Sequence, residues 1–279
     1  MNARHLVHLA PDHPGFSDRS YRARRDAIAQ AAIDFHAADA RGPVPDADYV
    51  EAEHAVWRSV WAELGPRHAD LAAEAVLGLQ DQLGLSRARI PQLAEVSARL
   101  SSATGLRMLP VEGLVAPRRF FTTLHEGVFL ATQYVRHASR PLYTPEPDVI
   151  HELVGHAATL AHPGLAALNR RFGLAAKLGD ARVRARLERV YWFTLEFGLV
   201  AERGGVRAFG AGLLSSIAEI ERSQTHGVEH LDWDLERMAS TDYETSSFQD
   251  RLFVAPSFEQ MIEDLDAWLV AELARSAPR

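Results

Sequence analysis

Two histidines and two carboxylates fall within one short, otherwise apolar stretch, Asp148-Val-Ile-His151-Glu152-Leu-Val-Gly155-His156, and this stretch constrains the fold more than any other. A neutral imidazole offers one ring nitrogen to a metal while a neighbour holds the other, so a close histidine pair points to a metal centre. The alternative is an ordinary helix with one partly buried and one solvent-facing histidine. The pair is five residues apart, not four. On a regular α-helix i and i+4 share a face, whereas i+5 is turned by about 140°. The stretch is therefore not the His-Glu-x-x-His metalloprotease pattern, which needs the i, i+4 face. Both rings reach one ion only if His151 starts the helix or the helix loosens locally, which a π-type widening or Gly155 would permit.

A third ligand is required, and Glu196 is the candidate. It lies in Val190-Tyr-Trp-Phe-Thr-Leu-Glu196-Phe-Gly-Leu-Val200, a segment with no other charge. An ionised carboxylate in such surroundings needs a cation to offset its desolvation. Two histidines and one carboxylate with positions left open form the facial triad of non-haem iron(II) oxygenases. A zinc hydrolase with the same ligands and Glu152 as general base is chemically open too. The chain has no cysteine, which excludes disulfides and thiolate metal sites and leaves nitrogen and oxygen donors.

With 279 residues, 47% of them hydrophobic, the chain can bury one large core. A net charge of −7 argues against nucleic acid as a partner, and no apolar run is long enough to span a membrane, so a cytoplasmic protein is expected. Residues 1–16, with Pro11, Pro14 and Gly15, read as a poorly ordered lead-in to a domain over 17–275. Ser17 is a plausible cap for a helix through Tyr21 to Phe35, broken by Gly42-Pro43-Val44-Pro45. Trp57, Val60, Trp61 and Leu64 make a buried helical stripe behind Asp48 and Glu51, and helices continue through Leu71 to Leu85 and Pro91 to Leu100. Residues 107–117 read as loop with a short strand, Val128 to Arg136 as a strand, and 140–147, with three prolines, as an extended lead into the metal helix. Leu165 to Gly173, Arg182 to Val200, Ile217 onward and Phe258 to Ala274 read as helices, with a turn at Gly204-Gly205.

Three long motifs stand in order: Pro145-Glu-Pro-Asp-Val-Ile-His-Glu-Leu-Val-Gly-His156, Tyr191-Trp-Phe-Thr-Leu-Glu-Phe-Gly-Leu199 and Phe209-Gly-Ala-Gly-Leu-Leu-Ser-Ser216. Together they closely resemble the pterin-dependent aromatic amino acid hydroxylases, above all the bacterial phenylalanine 4-monooxygenases. Shorter likenesses at Ile90 to Leu93, Thr104 to Arg107, Gln133 to His137 and Phe248 to Asp250 extend the resemblance over most of residues 16–270.

The resemblance implies a mainly α single catalytic domain with a few short strands, binding one Fe(II), a tetrahydropterin, O2 and an aromatic L-amino acid. It makes His151, His156 and Glu196 the iron ligands and has Ser215 hold His151. Phe120 would stack on the pterin, beside Val111, Gly113, Leu114 and Val115, with Glu152 facing it through water and Tyr191 nearby. Arg136 would meet the substrate carboxylate and Asp148 would orient Arg136 or the metal helix, while Thr144, Pro145, Trp192, Gly212 and Ser215 line the amino acid pocket. Bulky Trp192 favours phenylalanine, hydroxylated to tyrosine; Val135 and Phe248-Gln-Asp250 are similar to the tryptophan 5-hydroxylases, and a phenylalanine 3-hydroxylase or an inactive amino-acid-binding module are further alternatives. Where animal enzymes carry a serine and a histidine near the pterin this chain has Pro117 and Leu130, and Leu252-Phe253 replaces two aromatics. The length leaves no room for the animal regulatory domain or tetramerisation helix, so a monomer is implied.

Overall fold

Capping decides where the first helix starts. Asp18, in extended conformation, accepts from the backbone N–H groups of Ser20 and Tyr21 at 2.9 and 3.0 Å, and α1 (Arg19–Ala37) follows. The cap is thus Asp18 rather than Ser17, because its carboxylate reaches two orphan donors at once. In α2 (Glu51–Leu71) the Glu53 carboxylate turns back to the Val50 N–H at 2.9 Å, and Trp57, Val60, Trp61 and Leu64 form the buried stripe. The helix expected through Leu71 to Leu85 is broken. Ala73 N–H donates instead to Ala208 O across the fold at 2.9 Å, leaving only a 3-10 turn at Glu74–Val76 and the short α3 (Leu79–Gln82). Helix α4 (Leu93–Thr104) ends at Gly105, whose φ of 72° only glycine adopts readily.

The computed structural model describes residues 6–245 and 247–276. Strand β1 (Arg107–Pro110) pairs in parallel with β2 (Val128–Ala131), and α5 (Pro117–His125), with proline in its first turn, lies between them in sequence. The expected strand through Arg136 stops at Ala131, because Thr132 N–H leaves the ladder to bond Glu152. After the stretch that carries His151 and His156 come α6 (Ala158–Leu160), α7 (Pro163–Leu178) and α8 (Ala181–Tyr191). The helix expected through Val200 gives way after Glu196 to a hairpin of β3 (Leu199–Glu202) and β4 (Gly205–Ala208), turned at Arg203 and Gly204 with φ of 53° and 72°. Next are α9 (Ala211–Leu214), α10 (Ile217–Arg222), β5 (Glu229–Asp232), α11 (Leu235–Ser240), β6 (Arg251–Ala255) and α12 (Phe258–Ser276). The second sheet has the order β4-β3-β6-β5, antiparallel only at its hairpin.

The chain is mainly α, as expected, with a main core from Ile28 to Leu269 and a small second cluster of Val111, Val128 and Leu130. Its helices approach closely where glycine allows: a Cβ on Gly173 of α7 would lie 2.2 Å from His125 N at the end of α5. The lead-in differs from expectation over its described part, residues 6–16. Leu9 and His13 are buried, and the Asp26 carboxylate accepts from Leu6 and Val7 N–H, so local polar anchoring overrides the proline and glycine content.

Candidate metal centre and its cleft

The five-residue spacing is resolved by the helix itself, since His151–Ala157 is a π-helical turn. Its wider winding carries i and i+5 onto one side. The two Nε2 atoms stand 2.9 Å apart, and Glu196 Oε1 lies 2.9 Å from His156 Nε2. Glu196 Oε2 is 3.8 Å from His151 Nε2. Glu196 also ends a π-helical turn, Trp192–Glu196. Small residues let these turns close on α9. A Cβ on Gly155 would lie 2.6 Å from Ala211 O, and one on Gly210 would lie 2.4 Å from Glu196 O.

Hydrogen bonds fix which histidine nitrogens are free. Ser215 Oγ donates to Ala211 O at 2.7 Å, so its lone pair accepts from His151 Nδ1–H at 2.9 Å. That tautomer leaves the His151 Nε2 lone pair directed at the other two donors. Burial pushes His151 down to about 4, reinforced by His156, so the ring is neutral near pH 7. For His156 burial acts downward, but the adjacent Glu196 carboxylate outweighs it and the net shift is up. For Glu196 burial acts upward, and His156 reverses it to a net lowering. The three donors, all nitrogen or oxygen and within 4.8 Å of one another, fit the two-histidine, one-carboxylate set of non-haem iron(II).

The three donors open onto a cleft of about 210 Å³. All seven residues expected at a pterin, Val111, Gly113, Leu114, Val115, Phe120, Glu152 and Tyr191, line it. Phe120 is half-buried and set by edge contacts with Phe129 and Tyr191 at 5.3 and 5.7 Å. The Tyr191 hydroxyl donates to Asn169 Oδ1 at 2.9 Å, away from the ring contact. Burial raises Glu152 to about 7, against donors from Thr132 N–H and Oγ1 that reach its Oε1 at 2.9 and 3.0 Å.

The chain matches the model of the biopterin-dependent aromatic amino acid hydroxylases over residues 4–277. It belongs to this family. It is 42% identical over 267 residues to the chloroplastic phenylalanine 4-monooxygenase of Chlamydomonas reinhardtii, covering 93% of this chain and 71% of that one. It is 39% identical over 277 residues to the tyrosine 3-monooxygenase of Drosophila melanogaster, covering 96% of this chain and 47% of that one. The chain thus spans about half the length of the animal tyrosine 3-monooxygenases it matches. The Chromobacterium violaceum phenylalanine hydroxylase solved with iron(III) and oxidised 7,8-dihydrobiopterin superposes with a TM-score of 0.74 at 30% identity, covering 83% of this chain and 85% of that one.

The residues expected at the amino acid divide. Trp192 lines the cleft, stacked on Tyr243 with ring centroids 4.4 Å apart and its Nε1–H donating to Gln249 Oε1 at 3.0 Å. Arg136, Thr144, Pro145, Gly212 and Ser215 lie outside its lining. Arg136 is buried and gives Nε and Nη2 to Asp148, both at 2.9 Å, which leaves Nη1. For Asp148 burial acts upward, but Arg136 outweighs it and the net shift is down. Thr144 and Pro145 sit in a loop that Arg25 ties to α1 through Glu146 at 2.5 Å. Gly212 makes room for Phe197, whose Cζ a Cβ would approach to 2.7 Å. Pro117 and Leu130 both line the cleft, whereas Leu252 and Phe253 are core residues of β6, with Phe253 packed on Phe193 at 5.1 Å.

Sequence reasoning missed Glu188 and Tyr243 in the cleft wall. For Glu188 the signal was available, since it precedes Tyr191 and Trp192 by three and four residues on one helix. Tyr243 sits in the polar segment Ser240-Thr-Asp-Tyr-Glu244, where periodicity gives no face.

Proposed function

We propose that the protein is a monooxygenase that converts L-phenylalanine to L-tyrosine with O2, a tetrahydropterin and Fe(II), working as one catalytic unit over residues 17–275. The observation that carries this reading is the His151–His156–Glu196 donor set opening onto a cleft lined by the seven pterin candidates. When bound, the iron and the pterin supply oxygen activation and its two electrons. The chain's own residues position and select. His151, held by Ser215, would bind the iron together with His156 and Glu196, three protein donors that would leave room on the ion for other ligands. Phe120 offers a ring for stacking, and Glu152 Oε2, free of Thr132, faces the cleft as an acceptor for water or ring N–H. Arg136 Nη1 is the group for the substrate carboxylate, its guanidinium oriented by Asp148. Trp192, locked by Tyr243 and Gln249, walls the cleft toward a benzyl side chain.

A zinc hydrolase is disfavoured by the match to the biopterin-dependent family over residues 4–277 and by the seven pterin candidates that line the cleft. The experiment is oxygen uptake by the Fe(II)-loaded protein with phenylalanine, with and without tetrahydropterin. Uptake that needs both iron and pterin and yields tyrosine supports the reading. Binding of phenylalanine without any uptake would make the protein an amino-acid-binding module.

A further inference from the structure

Besides Glu152 and Glu196, the cleft wall carries one more carboxylate, Glu188 of α8. Two helical turns, roughly 12 Å, separate it from Glu196. It is half-buried, yet among the described residues its carboxylate has no hydrogen bond or ion pair. The arginines beside it in sequence are committed elsewhere: Arg189 bonds Asp242 at 2.8 Å, and Arg184 donates to Gly179 O at 2.6 Å. Burial raises Glu188 above the usual carboxylate range against the pull of Arg189 and Arg184. A carboxylate kept in a mostly apolar wall without a partner needs donors from whatever fills the space.

The amino acid cannot readily supply those donors. On the reading above its ring would sit at the metal and its carboxylate at Arg136, which is bound to Asp148 three residues before His151, so the amino acid would occupy the metal end. A bicyclic cofactor stacked on Phe120 would fill the remaining length of the cleft, with its substituent toward Glu188. We propose that Glu188 selects the pterin, accepting hydrogen bonds from a hydroxyl-bearing substituent and disfavouring one that ends in carboxylates. The acceptor and the negative charge act together: hydroxyl donors meet a charged oxygen, while an anionic tail meets a like charge. This inference rests on the reading that the cleft holds a pterin.

The test is equilibrium binding to the Fe(II)-loaded, oxygen-free protein, read by fluorescence quenching, with three dihydropterins that do not turn over. These are 7,8-dihydrobiopterin with a dihydroxypropyl tail, 6-methyl-7,8-dihydropterin without one, and dihydrofolate with an anionic tail. Glu188→Ala should weaken dihydrobiopterin about tenfold, leave methyldihydropterin within about twofold, and bind dihydrofolate at least as tightly as the parent protein. Glu188→Gln, which keeps an acceptor but drops the charge, should retain most dihydrobiopterin affinity and gain dihydrofolate affinity. Equal changes for all three pterins, or no change, would overturn the proposal. Weakened phenylalanine binding with unaltered pterin binding would also overturn it, by assigning Glu188 to the substrate ammonium. Failure of the parent protein to bind any dihydropterin would instead refute the pterin reading of the cleft.

Discussion

Replacing Ser215 by alanine removes one oxygen and leaves the three candidate metal ligands, His151, His156 and Glu196, in place. In the parent protein that oxygen accepts His151 Nδ1–H at 2.9 Å and returns a hydrogen bond to Ala211 O at 2.7 Å, in a residue only 4% exposed. Without it the Nδ1–H is buried without an acceptor, at a cost of about 1 to 3 kcal/mol. The ring can escape by moving its proton to Nε2, but that blocks the atom that faces the metal. Either outcome penalises the bound state, and losing such an orienting partner typically weakens metal affinity about 10- to 100-fold. The assay is Fe(II) affinity by competition with a calibrated chelator, alongside thermal unfolding of the metal-free proteins. We expect the iron dissociation constant of Ser215→Ala to rise by about 10- to 100-fold, with a metal-free melting temperature lowered by several degrees. An iron affinity within twofold of the parent would refute the argument that Ser215 fixes the His151 tautomer.

His151→Ala, His156→Ala and Glu196→Ala should each lose stoichiometric iron, measured by elemental analysis, while circular dichroism stays parental; iron retained by any one would remove that residue from the site. Arg136→Lys should raise the KM for the amino acid far more than that for the pterin, by a factor set by about 1.5 to 3 kcal/mol for a lost charge-assisted contact. An unchanged amino acid KM would place the clamp elsewhere. Glu219, buried beneath Gln249, is raised to about 7, chiefly by burial, so the folded state holds its proton more tightly than the unfolded chain. Stability from this group is present below the ordinary carboxyl range near 4.5 and is lost as pH rises towards 7. Glu219→Gln should therefore melt progressively higher relative to the parent between pH 4.5 and 8, and a pH-independent difference would contradict the assignment.

The candidate metal site was legible because its chemistry is local: two imidazoles and a carboxylate on apolar segments have few other uses. The π-turn at His151–Ala157 was legible as a demand, since five-residue spacing cannot serve one ion from an ideal α-helix. Elements decided by distant partners were not. Ala73 N–H is claimed by Ala208 O and Thr132 N–H by Glu152, and each breaks a regular element that periodicity favoured. The helix expected through Val200 fails likewise, because β3 pairs with β4 and β6, one a hairpin and the other about fifty residues away in sequence. The lead-in over 6–16 is held by Asp26 and by burial of Leu9 and His13, none of which composition displays. Tyr243, brought against Trp192 by the segment after α11, belongs to the same class.

The central claim is tested most directly by turnover on competing substrates. The Fe(II)-loaded protein is incubated with tetrahydropterin, O2 and equimolar phenylalanine and tryptophan, and the products are separated by chromatography. A single apolar wall such as Trp192 shifts discrimination by about 1 to 3 kcal/mol, so tyrosine should exceed hydroxytryptophan by roughly tens-fold. 5-Hydroxytryptophan as the main product would contradict the substrate assignment, meta-tyrosine would contradict the ring position, and no pterin-dependent hydroxylation of either substrate would contradict the account as a whole.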